Sequence, residues 1–194
     1  MDNERRYQVY VKTDRRYLVL SRHPKEKGQK ILMLEGKFWL FMPRSKRPIR
    51  ITPRQRLLGS VSLGDITTMV FSEEYSATIV DSNSDMDGTP AIKLELTARV
   101  SEPSYEKILL WVKKNNYFPV KAEFYYKSGK LAKIGDFLEG RDKYNNVAVS
   151  GMVLYDKIRK DSKTVLRYLG GVAMDIPDRY FNPGYLIRTN IDLE

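Results

Sequence analysis

Alternating hydrophobicity constrains this chain more than any other feature. Ile92, Leu94, Leu96, Ala98 and Val100 alternate with Lys93, Glu95, Thr97 and Arg99, the pattern of a strand with one dry face and one wet face. Near the start, Tyr7, Val9 and Val11 share one face, with Gln8 and Lys12 on the other. Strand signals return in "RRYLVLS", "ILML", "FWLFM", "YSATIVD", "VKAEFYY", "KLAKIGDF", "VAVSGMVLYD" and "TVLRYLGGVAM". Between them lie turn residues: Thr13-Asp14, the polar loop "RHPKEKGQK", the tight "EGK", Asp87-Gly88 and Ser128-Gly129. Strands recurring about every ten residues with turns between them predict a curved sheet or barrel. The paired glycines of "LGGVAM" predict a bulge or bend in that sheet.

Helical signals are few. Ser62-Leu63-Gly64-Asp65 has capping-box spacing before "ITTMVF", which predicts a short helix there. "YEKILLWVKK" fits helical spacing through Tyr105, Ile108, Leu109 and Val112, and strand spacing through Ile108, Leu110 and Val112; periodicity leaves both open. "DIPDRYFNPGYL" closes the chain as a proline-punctuated tail with aromatic anchors. A chain of 194 residues that is 42% hydrophobic and 30% charged suits one globular domain over residues 1–194. No run reaches the roughly 18 apolar residues of a membrane-spanning helix, and "MDNERRYQVY" lacks the apolar centre of a signal peptide.

Most catalytic chemistry lacks its parts. Cysteine is absent and His23, in a loop, is the one histidine, which removes thiolate and imidazole metal sites and Cys nucleophiles. "SVSLG" at Ser60–Gly64 approaches a nucleophile elbow, but no histidine follows to serve as base. "NSDMDG" resembles half a calcium loop, yet Leu94 falls where a bidentate Glu is needed; a hairpin turn at Asp87-Gly88 fits better. Neither a P-loop nor a dinucleotide fingerprint is present, so no cofactor and no catalytic residue is expected.

What remains is a greasy strand beside a positive ribbon. "FWLFMPRSKRPIRITPRQRLLG" runs from aromatics into Arg44, Lys46, Arg47, Arg50, Arg54 and Arg56, with no acidic residue between Gly36 and Gly64. Three prolines from Pro43 to Pro53 keep this segment out of a central strand or helix interior. The 34 basic against 24 acidic side chains leave +10, which attracts nucleic acid, anionic membrane or acidic protein alike. Trp39 cannot share a face with both Phe38 and Phe41, because strand side chains alternate.

The run from Gly28 to Ile66 resembles the periplasmic LolA-like proteins known as outer-membrane lipoprotein-sorting proteins. The resemblance rests on Gly28, Trp39, Phe41, Pro43, Arg47, Arg50, Ile51, Gly59, Gly64 and Asp65. It continues through Tyr105, Trp111, Val112, Pro119, Ser128, Gly129 and Lys130, and closes at Pro177, Asp178, Phe181 and Asn182. It implies a mainly β, unclosed and strongly curved antiparallel barrel with short helices as a lid over an apolar cavity, and makes "YEKILLWVKK" a strand. It further implies a non-enzymatic periplasmic carrier of lipid or lipoprotein acyl chains, moving cargo toward the outer membrane. The chain starts within the first or second strand of the family pattern, which implies that a leader helix and signal are absent here; a native N-terminal lipid anchor stays open.

On that reading Trp39, Phe41, Leu57, Leu58, Met69, Phe71, Trp111, Phe118 and Tyr126 are the cavity candidates, with Met69 and Phe71 on a lid helix. Arg44, Lys46, Arg47, Arg50, Arg54 and Arg56 are the docking candidates, toward a membrane surface or an envelope transporter or acceptor. One of Arg47 and Arg50 is expected to tie the lid to the barrel through carbonyls at a helix end. The rivals are an adaptor of an envelope transporter and a nucleic-acid-binding β-module; against the latter, "KLELTAR" and "EFYYKSGK" alternate charge signs instead of forming one positive stripe.

Overall fold

The computed structural model describes residues 4–14, 16–52, 71–101, 103–159, 162–189 and 191. The expectations for Leu57, Leu58, Met69, Arg54, Arg56, the elbow-like "SVSLG" and the helix at Ser62–Asp65 lie outside them. The chain groups into two compact units, one built from Met1–Gln55 with Ala173–Glu194 and the other from Arg56–Val172.

The first unit is a five-stranded antiparallel meander of β1 (Tyr7–Lys12), β2 (Arg16–Ser21), β3 (Lys30–Leu34), β4 (Lys37–Phe41) and β5 (Ile49–Ile51), in that spatial order. Glu35 and Gly36 make the β3–β4 turn at φ 49° and 73°, the left-handed pair that a two-residue hairpin needs. The proline-rich corner admits only the three-residue edge strand β5, as its prolines require. His23 serves the local backbone, where its Nδ1 accepts from the Lys25 amide at 3.3 Å and caps the single 3₁₀ turn η1 (Pro24–Glu26).

Both faces of this sheet are covered. Tyr17, Met33 and Phe38 form one buried cluster. On the opposite face Tyr10, Leu18, Leu20, Leu32 and Phe41 pack against Ile176, Phe181, Leu186 and Ile191 of the tail. The tail folds as the 3₁₀ turn η2 (Asp178–Phe181) and the helix α2 (Pro183–Arg188). Pro183 sits in the first turn of α2, and the Asn182 side chain accepts from the Tyr185 amide at 3.2 Å, a strong start signal. This packing decides which face of β1 turns inward. The apolar alternation marks Tyr7, Val9 and Val11, yet Val9 and Val11 are 38% and 47% exposed while Tyr10 is buried. Lys12 follows Tyr10 inward, with its ammonium 5.8 Å from the Phe181 ring.

The described residues of the second unit open with one turn of helix, α1 (Phe71–Glu74), and continue as a seven-stranded antiparallel sheet. Its strands are β6 (Tyr75–Met86), β7 (Thr89–Ala98), β8 (Lys107–Lys113), β9 (Pro119–Tyr125), β10 (Leu131–Arg141), β11 (Val147–Asp156) and β12 (Lys163–Arg167), each paired with the next. "YEKILLWVKK" is strand β8, the alternative that the resemblance selected. Asp87 and Gly88 form the β6–β7 turn at φ 52° and 83°. Among the described residues neither sheet closes on itself, and β1, β5, β6 and β12 each keep one edge without a strand partner. The chain thus adopts the fold class expected of it: mainly β, unclosed and antiparallel, with short helices.

One strand expectation fails. β12 stops at Arg167, and residues 168–177 form no regular element. The glycine pair is therefore no bulge: Gly170 sits at φ 147°, and Leu169 and Val172 are 79% and 86% exposed. Among the described residues no strand pairs beyond β12, so the apolar residues there have nothing to alternate against.

Candidate functional site

Register across the second sheet sets one continuous apolar face. Leu96, Ile108 and Phe124 form one cross-strand row, and Leu94, Leu110 and Ala122 the next. Gly135 pairs with Ala122 on one side and Leu154 on the other, while Phe137 pairs with Met152. These residues make the core of the unit, joined by Tyr75, whose hydroxyl donates to the Tyr105 carbonyl at 2.8 Å. Burial pushes the Tyr75 phenol far above its ordinary value, so it is a fixed donor and not an acid.

Toward one end of this face the packing stops short and leaves a cavity of about 310 Å³, within the range of small-ligand pockets. β8 contributes Leu110 and Val112, β9 Pro119 and Phe124, β10 Phe137, and β11 Val149, Met152 and Leu154. Phe71 of α1 adds a ring, held edge-on to Tyr75 at 6.1 Å. Tyr117 and Tyr168 complete the wall. Every described lining residue is apolar, apart from the two tyrosine hydroxyls.

Two local devices produce this space. At Gly135 an added Cβ would stand 2.6 Å from Met152 Sδ, 3.2 Å from Phe124 Cε2 and 3.3 Å from Leu154 Cδ2, so the glycine lets three lining side chains lean together. On β11 the pairing slips, Gly151 facing Leu138 while Val149 faces Glu139. Ser150 is the extra residue, and its hydroxyl donates to Leu138 O at 3.1 Å. That bulge lets Val149 line the cavity beside Met152 and Leu154, which strict alternation forbids. Gly140 makes room for it, because a Cβ there would meet Ser150 Cβ at 2.6 Å.

Of the sequence-derived cavity candidates, Phe71 alone lines this cavity among the described residues. Tyr126 packs against the same core, its ring 6.4 Å from that of Tyr105. Phe118 is buried beneath the Lys113 ammonium, 5.2 Å from its ring. Trp39 and Phe41 belong to the first unit, where both join the cluster under the tail. Trp111 points to the other face of the second sheet. Its cross-strand partners there are Lys93 and Lys121, and their ammonium groups lie 4.8 and 5.1 Å from its ring. Beside that row Glu123 accepts from Tyr125 at 2.7 Å and pairs with Lys121 at 3.1 Å. Burial opposes its ionisation, but the Tyr125 hydroxyl and Lys121 outweigh that and hold the carboxyl below its ordinary value. Burial and the same carboxylate push the Tyr125 phenol up to about 12. Signs alternate on this face.

Lining residues missed by sequence reasoning are Leu110, Val112, Tyr117, Pro119, Phe124, Phe137, Val149, Met152, Leu154 and Tyr168. Leu110 and Phe124 sit at positions of β8 and β9 that alternation marks as inward, a signal that was available, whereas β10 and β11 carry apolar residues on both faces. Val149 depends on the bulge.

The described part of the ribbon is exposed. Arg44, Lys46 and Arg47 occupy the loop after β4, Arg44 at φ 66°. Arg50 lies over the Trp39 ring at 5.8 Å. The lid that Arg47 or Arg50 is expected to tie falls outside the described residues; within them, Arg99 donates to Ser72 O of α1 at 2.5 Å. Lys30 donates to Leu186 O and Thr189 O, at 2.9 and 2.7 Å, at the end of α2. Burial lowers the Lys30 pKa. No group of three or more His, Cys, Asp or Glu that could hold a metal occurs among the described residues, and no described helix is long and apolar enough to cross a membrane.

Comparison with known proteins bears on the whole chain. A family model described as "Uncharacterized protein" matches residues 13–188. A LolA superfamily protein, NE2245 of Nitrosomonas europaea, is 34% identical with a TM-score of 0.82, over 93% of this chain and 82% of that one. A putative outer membrane lipoprotein-sorting protein domain from Vibrio parahaemolyticus aligns at 21% identity and a TM-score of 0.72, over 95% and 83% of the two chains. A DUF1329 family protein from Desulfovibrio piger aligns at 22% and 0.65, over 93% and 81%. No curated protein matches the sequence.

Proposed function

Because the chain belongs to the LolA superfamily, we propose that it is a non-enzymatic periplasmic carrier that takes an acyl chain of a lipid or lipoprotein into the apolar cavity of its seven-stranded sheet and moves it toward the outer membrane. The observation that carries this reading is the cavity itself, about 310 Å³ of space walled by hydrocarbon and aromatic carbon. Moving an alkyl chain out of water into such a space stabilises the complex by about 0.8 kcal/mol per methylene, so ten buried methylenes supply about 8 kcal/mol before the costs of association. No polar contact is required. Selectivity then comes from shape and length, and release from exchanging one apolar environment for another.

Within this reading residues 1–194 act as one carrier module. Leu57, Leu58, Met69 and Phe71 belong to the apolar wall, Trp111, Phe118 and Tyr126 support the seven-stranded sheet, and Trp39 and Phe41 support the five-stranded one. The ribbon of Arg44, Lys46, Arg47, Arg50, Arg54 and Arg56 meets the anionic surface of a donor or acceptor. The exposure of its described members and the absence of nearby acidic residues in the sequence support that role. Organic extraction of purified protein followed by mass spectrometry tests the proposal. Bound lipid or fatty acid is expected, together with saturable uptake of a fluorescent acyl probe. A clean spectrum with no uptake refutes it.

A further inference from the structure

The hairpins at one end of the seven-stranded sheet carry two aromatic side chains that stand largely in solvent. Tyr117, in the β8–β9 turn, is 70% exposed, and Tyr144, in the β10–β11 turn, is 73% exposed. Tyr117 holds φ at 56°, a left-handed conformation that costs a bulky residue and suits Asn or Gly. The turn itself is closed without the ring. Its amide donates to Lys113 O at 2.9 Å, and Asn116 Oδ1 accepts from the Phe118 amide at 3.1 Å. Tyr144 is held in the same deliberate way: Asp142 accepts from the Tyr144 and Asn146 amides, both at 2.8 Å, and so presents the ring outward. The Lys143 ammonium lies 4.9 Å from that ring.

Charge follows the same pattern. Residues 113–117 and 141–146 contain Lys113, Lys114, Arg141 and Lys143 against Asp142, which its own turn consumes; the acidic β6–β7 hairpin at the same end holds Lys114 through Asn83 Oδ1 at 2.7 Å, so the free positive charge lies at the β10–β11 tip. The two hairpins are joined, since Lys113 pairs with Glu139 of β10 at 2.7 Å. Tyr117 also lines the cavity, so this end is where a guest would enter or leave.

We propose that the paired tips bearing Tyr117 and Tyr144, with Arg141 and Lys143, form a docking surface for an anionic lipid bilayer. Tyrosine has an apolar body and a polar end and prefers the headgroup level, while each cation at a negative leaflet adds attraction of about fivefold in affinity. Neither a nucleic acid nor an acidic protein needs exposed rings placed next to an apolar opening. A bilayer does, because an acyl chain can then pass between membrane and cavity without crossing water. The inference rests on the carrier reading for its purpose, but its readout is separate.

Sedimentation with vesicles of equal phosphatidylglycerol and phosphatidylcholine, and with phosphatidylcholine alone, tests it. The wild-type protein is expected to associate with the anionic vesicles, and less at high salt. Tyr144→Ser combined with Lys143→Ser should weaken association at least tenfold, with the melting temperature and acyl-probe uptake unchanged. Tyr117→Asn should also weaken association while keeping or raising the melting temperature, because it relieves the left-handed strain. Wild-type protein that ignores anionic vesicles overturns the docking surface, as does binding that survives these substitutions or retention by polyglutamate alone. Loss of probe uptake in the wild type refutes the carrier reading instead.

Discussion

Gly135→Ala is a one-carbon probe of whether the cavity of the larger sheet holds the guest. The new Cβ would stand 2.6 Å from Met152 Sδ, against an optimal separation of about 3.5–4.0 Å. Met152 must therefore retreat by about an ångström, and the free space within reach is the cavity that it lines. Overpacking costs about 1–3 kcal/mol, and replacing a strand glycine by alanine returns about 0.5–1 kcal/mol. A net destabilisation of about 0–2.5 kcal/mol follows, small enough for the protein to remain folded. Binding should suffer more selectively. Each methylene displaced from the cavity forfeits about 0.8 kcal/mol, or about fourfold in affinity. Displacement titrations with fatty acids of increasing length should show wild-type affinity for short chains and a loss of about four- to fifteenfold for the longest. Adding Met152→Ala should restore the room and the affinity. If Gly135→Ala lowers the melting temperature but leaves the length dependence untouched, the guest binds elsewhere and the reasoning is wrong.

Lys30→Met removes the ammonium that two carbonyls at the end of α2 share. Charge-assisted hydrogen bonds are worth about 1.5–3 kcal/mol each, and relief of burying a charge offsets part of that, so a loss of about 2–4 kcal/mol is expected. Denaturant melts, with faster amide exchange over the tail, check it. Asp178 predicts an acid limb. The Lys12 ammonium, then the charge of Arg16 with its guanidinium at 3.1 Å, hold this carboxyl below its ordinary value. Its contribution is thus present above about pH 4 and disappears as pH falls through the lowered folded value. Asp178→Asn should narrow the difference in stability between pH 6 and pH 3, measured by thermal melts; an unchanged difference refutes the linkage.

Local chemistry made most of the sheet legible. Asp87-Gly88 and Glu35-Gly36 announce hairpins because their left-handed backbone narrows the choice of residue, and Ile108, Leu110 and Val112 needed only the resemblance to separate strand from helix. What stayed hidden is set by distant partners. Val9 and Val11 look like an inward face, but which side of β1 turns in is decided by Phe181 and Leu186 at the other end of the chain. Trp111 reads as a cavity wall until cross-strand register sets it between Lys93 and Lys121. Val149 is inward only because Ser150 is looped out, and one residue of slippage leaves no trace in composition. The apolar "LGGVAM" is a strand only if something pairs with it, and the sheet ends first.

The clasp of the small sheet by its tail constrains how the protein is made. Residues 7–51 supply every described strand of that sheet, yet Tyr10, Leu18, Leu32 and Phe41 gain their cover from Ile176, Phe181, Leu186 and Ile191. A ribosome adding about 5–20 residues per second delivers that cover seconds after the strands themselves. During the wait an oily surface lies open to wrong neighbours, and a truncation that trims the last twenty residues should send the chain to proteolysis rather than leave a working fragment.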